Sequence, residues 1–298
     1  MMYWILKAAQ AIISSLPIGP LYKLSGFITK TVFMLWKEKR ENVYANYSIV
    51  LEKKLGRKPA ADEIKKVAEE NFINYGMFNV EFLYIHKLVK MSALPPLHDM
   101  DKVDRALAPG KGLIVCTLHF SNWDVAGMIV SGYYKDTREV WAMADDLGGG
   151  YSKFIQDSRN RYGIKIVLPN KNLKDAYTCL NKGGILNVLV DRPLPRSDKS
   201  GVEVDFFGRK AYVGTAAARF AIKSGASIIV GCAMRDNNSF YGAPGDIINY
   251  ALSGNKEEDI KTVTQAIIRS AESIIMANPE QWYMFRKMWP DEISNNIK

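Results

Sequence analysis

The chain has 298 residues, enough for one large domain or two small ones with a substantial core. At 48% hydrophobic and 24% charged residues it is globular rather than disordered, and a net charge of +9 points to anionic partners: phosphorylated substrates, anionic lipid or nucleic acid. The three cysteines, Cys116, Cys179 and Cys232, lack CxxC spacing and no HExxH pattern occurs, which argues against a disulfide framework and against a metal site, and the cysteines read as reduced core thiols.

Two apolar stretches open the chain, residues 3–16 and 21–36, separated by Pro17 and Pro20 and interrupted by Lys7, Lys23 and Lys30. Neither gives the roughly 18 uninterrupted apolar residues of a spanning helix. A basic leader with a small-residue cleavage site is missing too. The pattern predicts helices lying in a membrane interface; the alternative is a core helix pair with solvated lysines. Charge favours the membrane, because residues 1–54 hold eight basic groups against three acids. Residues 61–90 form a long amphipathic helix candidate, with Asn71, Asn74, Phe78, Phe82 and Ile85 at helical spacing. Pro95-Pro96 closes a helical region over 1–105.

From residue 112 the rhythm changes. Apolar runs of strand length at 113–118, 139–144, 165–168, 185–190 and 227–233 alternate with helical patterns near 122–133, 150–162, 171–182 and 213–224. This predicts an α/β core over 106–298 with a mostly parallel central sheet flanked by helices. A last helix near 257–277 precedes an aromatic tail.

In such sheets, sites form beyond the carboxyl ends of the strands. His119 ends the first run, and Asp124 follows five residues later across Ser121-Asn122. The two side chains meet only if His119 precedes a helix and Asp124 sits in its first turn; the acid then fixes the imidazole tautomer. The alternative is a half-buried histidine with Asp124 helping to cap the helix. Asp191-Arg192 leaves the 185–190 strand, and in a parallel sheet Asp191 approaches His119 from a neighbouring strand. His86 and His98 lack such a setting and read as packing residues. Patterns for dinucleotides, P-loops and serine hydrolases are absent, and Gly148-Gly149-Gly150 reads as a connector. No nucleic-acid reader motif is present, so nucleic acid is not expected as a partner.

His119-Phe-Ser-Asn-Trp-Asp124 resembles the His-x-Gly-Asn-Trp-Glu/Asp motif of the bacterial lipid A biosynthesis acyltransferases, a family that includes phosphatidylinositol mannoside acyltransferases. Ser121 stands where that motif usually has glycine. Arg40-Glu-Asn-Val43-Tyr-Ala-Asn46, Arg159 to Gly163, Asp191, Val204-Asp-Phe-Phe-Gly208 and Pro279-Glu-Gln-Trp282 resemble further family blocks, in order, across nearly the whole chain. The resemblance implies a glycerolipid-acyltransferase-like fold with membrane-associating N-terminal helices. It implies acyl transfer from acyl-CoA or acyl carrier protein to a glycolipid hydroxyl at the cytoplasmic face of the inner membrane, without cofactor or metal. His119 would be the base, with Asp124 and Asp191 orienting it. Asn122, Trp123, Arg159, Arg161, Arg192 and Arg209 would contact substrates, the arginines through phosphate. Thioester hydrolysis and a non-enzymatic lipid-surface role are the alternatives.

Overall fold

The computed structural model describes residues 1–169 and 171–290; residues 291–298, the end of the expected core, lie outside the described residues. Helices α1 (Met2–Ser15), α2 (Ile18–Leu35), α3 (Lys37–Leu55) and α4 (Ala61–Leu88) come first, and α5 (Met100–Leu107) leads into the sheet. There follow β1 (Leu113–Thr117), α6 (Trp123–Tyr134), β2 (Val140–Met143), α7 (Gly149–Asn160), β3 (Ile164–Val167), α8 (Leu173–Asn181) and β4 (Ile185–Leu189). A hairpin, β5 (Gly201–Phe206) and β6 (Arg209–Gly214), precedes α9 (Ala216–Ser224), β7 (Ser227–Asp236), β8 (Ser239–Ile247) and α10 (Lys256–Ala277).

The main sheet has the order β3-β2-β4-β1-β7-β8, parallel throughout except for β8. Both faces are covered, as parallel sheets require. Alternate residues of β1 therefore feed different cores. Leu113 and Val115 pack with α5 and α6, while Ile114 and Cys116 pack with α8, α9 and α10. The second core also takes Val43 and Tyr47 of α3 and Phe72 of α4, so the helical N-terminal region packs directly on the α/β core.

Two features escape the sequence pattern. The β5–β6 hairpin turns at Phe207 and Gly208, with φ of 54° and 75°, the conformation of a tight two-residue turn. Strand β8 carries Gly242, Pro244 and Gly245, residues that ordinarily argue against a strand. It tolerates them as an antiparallel edge strand whose register shifts between Ile229 and Gly231.

Among the described residues no single helix is long and apolar enough to cross a membrane. The α1–α2 pair together has the length and composition, but is bent by 119° between the helices. Trp4, Phe27 and Leu35 on this pair are 73%, 73% and 78% exposed.

One buried polar cluster ties these parts together. Glu81 of α4 is fully buried and receives two hydrogen bonds from Arg235 of β7, Nε and Nη2 each at 2.9 Å. Tyr22 of α2 donates to Glu81 Oε1 at 3.0 Å, and Asn122 donates to Oε2 at 2.9 Å. A buried charge without its partner is strongly unfavourable, whereas replacing both members by apolar groups is far less so. Glu81→Leu alone is therefore expected to cost about 3–5 kcal/mol. Adding Arg235→Met should restore much of this loss, as read by denaturant unfolding of the single and double variants.

Candidate active site

The parallel register of β1 and β4 builds the site. Thr117 pairs with Leu189, so two residues further on, His119 and Asp191 leave the strand ends side by side. Asp191 Oδ1 lies 2.7 Å from His119 Nδ1. Its Oδ2 accepts from the His119 backbone N–H at 2.9 Å and from the Trp282 indole N–H at 2.8 Å. Asp191 is fully buried, and burial alone pushes a carboxyl pKa upward. The opposing pull of the His119 charge, of the hydrogen bonds from the His119 ring and Trp282, and of the His119 backbone N–H outweighs it and holds Asp191 below the usual carboxylate range. An ionised carboxylate only accepts, so Nδ1 carries the proton and Nε2 is left as the basic nitrogen.

Trp282 reaches Asp191 because the C-terminal segment is pinned beside the strand ends. Tyr283 N–H donates to His119 O at 2.7 Å, and Ser121 N–H donates to Gln281 O at 2.7 Å. The N-terminal helices hold the same segment. Tyr47 OH donates to the carbonyls of Pro279 and Trp282 at 2.7 and 2.8 Å, and Asn71 donates to Trp282 O at 2.8 Å. Asn46 donates to Met284 O and Arg286 O and accepts from Met288 N–H. The Arg-x-x-Val-x-x-Asn block is thus architectural: Arg40 donates to the carbonyls of Phe33 and Met34 at the end of α2, Val43 is core, and Asn46 clamps the tail.

His119 opens onto a cavity of about 330 Å³ over the carboxyl ends of β2 and β4. Tyr75, Phe78 and Phe82 of α4 and Tyr151 and Ile155 of α7 form its apolar walls. Trp123 also lines it, its ring edge-on to His119 at 5.2 Å and packed on Phe78 at 4.3 Å. The helical spacing of Phe78 and Phe82 is visible in the sequence; that this face looks into the site is not.

Several expected roles are redistributed. The carboxylate that orients the imidazole is Asp191. Asp124, in the first turn of α6, lines the cavity but accepts from Arg159 Nε at 2.7 Å. One helical turn carries it toward α7 rather than back to Nδ1. Asn122 caps α6, accepting from Val125 N–H at 3.1 Å and donating to Glu81, so it serves the scaffold instead of lining the cavity. Arg159 and Arg192 line the cavity, the latter paired with Asp145. Arg161 follows the end of α7 on the surface, and Arg209 on β6 pairs with Glu52 of α3 at 3.3 Å; neither lines the cavity. The cysteines are buried, and burial pushes the thiols of Cys179 and Cys232 up to about 12, which disqualifies them as nucleophiles.

Residues 1–290 match the family described as bacterial lipid A biosynthesis acyltransferase, and the chain belongs to that family. It is similar to a phosphatidylinositol mannoside acyltransferase of Mycobacterium tuberculosis, with 26% identity over 202 residues, 66% of this chain and 60% of the relative. It is also similar to the protein of that name from Mycolicibacterium smegmatis, 26% identical over 203 residues, 66% of this chain and 63% of the relative. The chain thus matches less than two thirds of these relatives' length.

Two outcomes follow from the geometry. Ser121 adopts φ of 50° and its buried hydroxyl meets no partner among the described residues. Ser121→Gly should therefore raise stability by about 1 kcal/mol, read as a higher unfolding midpoint. Asp191 has a folded pKa below its unfolded value, so its contribution is complete above about pH 4 and is lost as pH falls through the lowered value. Denaturant midpoints below about pH 4 should drop more steeply for the wild type than for Asp191→Asn.

Proposed function

We propose that this family member transfers a fatty acyl group from a thioester, acyl-CoA or acyl carrier protein, to a hydroxyl of a membrane glycolipid. The observation that carries this reading is the His119–Asp191 pair, 2.7 Å apart, with the ring opening onto a cavity walled by aromatic and apolar side chains. His119 Nε2 takes the proton of the acceptor hydroxyl as its oxygen bonds to the thioester carbonyl carbon. The tetrahedral adduct collapses, the C–S bond breaks, and the leaving sulfur takes the electron pair and then the proton from the imidazolium. Asp191 stays ionised throughout and balances the imidazolium charge. Among the described residues Arg159 and Arg192 are the cations that line the cavity, where each could meet phosphate of either substrate, and Asp124 sets the direction of Arg159.

The relatives are named for phosphatidylinositol mannoside, which favours an acceptor of that type over a lipid A precursor. The exposed apolar side chains of α1 and α2, among basic residues, suit docking on the anionic cytoplasmic face of the inner membrane, at about 1 kcal/mol per basic residue near the surface. Tyr3 OH donates to Asp157 of α7 at 2.8 Å, so the docking helix is tied to a wall of the cavity. Lipid substrate then reaches the site without leaving the interface.

His119→Ala is expected to lower acyl transfer by about 10²–10⁴ while vesicle binding is kept. Acylated glycolipid and free fatty acid are quantified together, and a wild type that releases only fatty acid would replace the transferase reading with hydrolysis. Trp4→Ser combined with Phe27→Ser should weaken binding to anionic vesicles several-fold in a sedimentation assay, with an unchanged circular dichroism spectrum.

A further inference from the structure

Outside the catalytic cavity, a group of cations stands where α1, α4 and α7 meet. Helix α1 lies along α7: Tyr3 OH donates to Asp157 at 2.8 Å, and Lys7 Nζ lies 5.1 Å from the centre of the Phe154 ring. The approach is close because residue 150 is glycine; a Cβ there would fall 2.5 Å from the Tyr3 nitrogen. The end of α4 closes the third side. Phe82 packs on Phe154 at 5.6 Å, and Tyr162 OH donates to Val89 O at 2.9 Å. His86 lies between these two contacts, one turn beyond Phe82, and Arg161 caps α7 one turn beyond Asp157. Lys7, His86 and Arg161 thus come together from distant parts of the chain.

Their charge is not balanced. Asp157, the carboxylate facing them, is occupied by Tyr3 and by Lys153 at 3.4 Å. Lys7 donates to a neutral partner, Gln10 Oε1 at 3.4 Å, and neither Lys7 nor Arg161 forms an ion pair among the described residues. Burial and the Arg161 charge lower the Lys7 ammonium pKa below its usual range against the pull of Asp157, and burial, Arg161, Lys87 and Lys7 lower His86. Helix ends attract cations, which accounts for His86, Lys87 and Arg159 in the last turns of α4 and α7. It does not account for Lys7, in the middle of α1. Like charges gathered without a counter-charge are relieved by an anion.

The position of Lys7 on α1 identifies that anion. Tyr3, Lys7 and Gln10, spaced by four and three, form the side turned to α7, while Trp4, Ile5 and Ile12 form an exposed apolar face. Three residues separate Lys7 from Trp4, about 60° around the helix. When Trp4 and Ile5 enter lipid, the Lys7 stem follows the apolar surface and its ammonium stands at headgroup depth. There the planar fork of Arg161 and the point charge of Lys7 suit the oxygens of one phosphodiester. We propose that Lys7 and Arg161, bordered by His86, hold the phosphate of a single anionic phospholipid in the leaflet on which α1 and α2 dock, an inference that rests on that docking. The seat fixes the roll of α1 on the membrane and, through Tyr3 and Asp157, the attitude of α7 beside the cavity.

The test is sedimentation of the full chain with vesicles of phosphatidylglycerol in phosphatidylcholine, without acyl donor or acceptor. Lys23→Gln and Lys30→Gln, at exposed positions of α2, remove charges that serve only the diffuse attraction, and each should weaken binding about fivefold. Lys7→Gln and Arg161→Gln should each weaken it by about thirtyfold, and the double variant little more than either single, because both side chains hold one phosphate. Equal losses at all four positions, with Lys7→Gln and Arg161→Gln multiplying in the double variant, overturn the site. Should Lys7→Gln fail to fold by circular dichroism, Arg161→Gln against Lys23→Gln decides alone. Inorganic phosphate should release no more wild type than chloride at equal ionic strength; release to the level of Lys7→Gln gives the seat to free phosphate and overturns the lipid assignment. A wild type that stays off anionic vesicles altogether overturns the docking reading instead, which is a different result from binding that ignores Lys7 and Arg161.

Discussion

The Asp191 carboxylate, wholly removed from solvent, is kept charged by donors from two distant parts of the chain: the ring and backbone N–H of His119, and the indole of Trp282. An ionised carboxylate taken out of water without such partners would be neutralised by a raised pKa. A neutral Asp191 would hold the Nδ1–H more weakly and would no longer balance the charge of an imidazolium, so Nε2 would be a weaker base. The fold therefore has to bring residue 282 against residue 191 before the site can exist. Asn46, Tyr47 and Asn71 do this by binding main-chain carbonyls of the C-terminal segment, whose regular structure is a single short 3-10 turn over Pro279–Gln281. The N-terminal helices and the C-terminal segment are in this sense part of the dyad.

The Glu81–Arg235 pair extends the same logic one layer outward. A buried ion pair contributes little net stability compared with apolar packing, so its value lies in what it fixes. Asn122 spends one side of its amide capping α6 and the other on Glu81, and Tyr283, which accepts from Arg235, binds the carbonyl of His119. The segment from His119 to Asn122 is held from below by its strand and from the sides by this network. Tyr22 brings α2 into it, so one of the bent pair of N-terminal helices is wired to the loop that carries the imidazole.

The alternation of strands and helices was legible because a sheet covered on both faces leaves continuous apolar runs, and Leu113, Ile114 and Val115 are each buried against one core or the other. The strands that were not legible are those with a different environment. Strand β8 is an edge with proline and two glycines, and β5–β6 lies outside the main sheet. The identity of His119 was legible from its position at a strand end, but its partner was ambiguous. Spacing along the chain favours Asp124, five residues away, whereas the contact is made by Asp191 through the register of β1 on β4. Basic residues misled in the same way. Arg159 and Arg161 are two positions apart, which on a helix directs one into the cavity and the other outward.

The dyad, the cavity and the bent helix pair also explain one another physically. The strand ends supply fixed polar groups, because a parallel sheet ends its strands on one side and leaves their last residues free of pairing. Alone, those groups would form a shallow polar rim. Helix α4 adds depth by laying Phe78 and Phe82 over the rim, and α7 adds Tyr151 and Ile155 from the other side. Both helices contact α1, and α4 also packs on α2. The apolar surface that would dock on lipid and the apolar wall that would receive an acyl chain are thus opposite sides of one helical layer. Chemistry that needs an ionised, oriented imidazole and a substrate that is mostly hydrocarbon can coexist within a few residues only under such an arrangement, with the charge buried in the sheet and the hydrocarbon facing the helices.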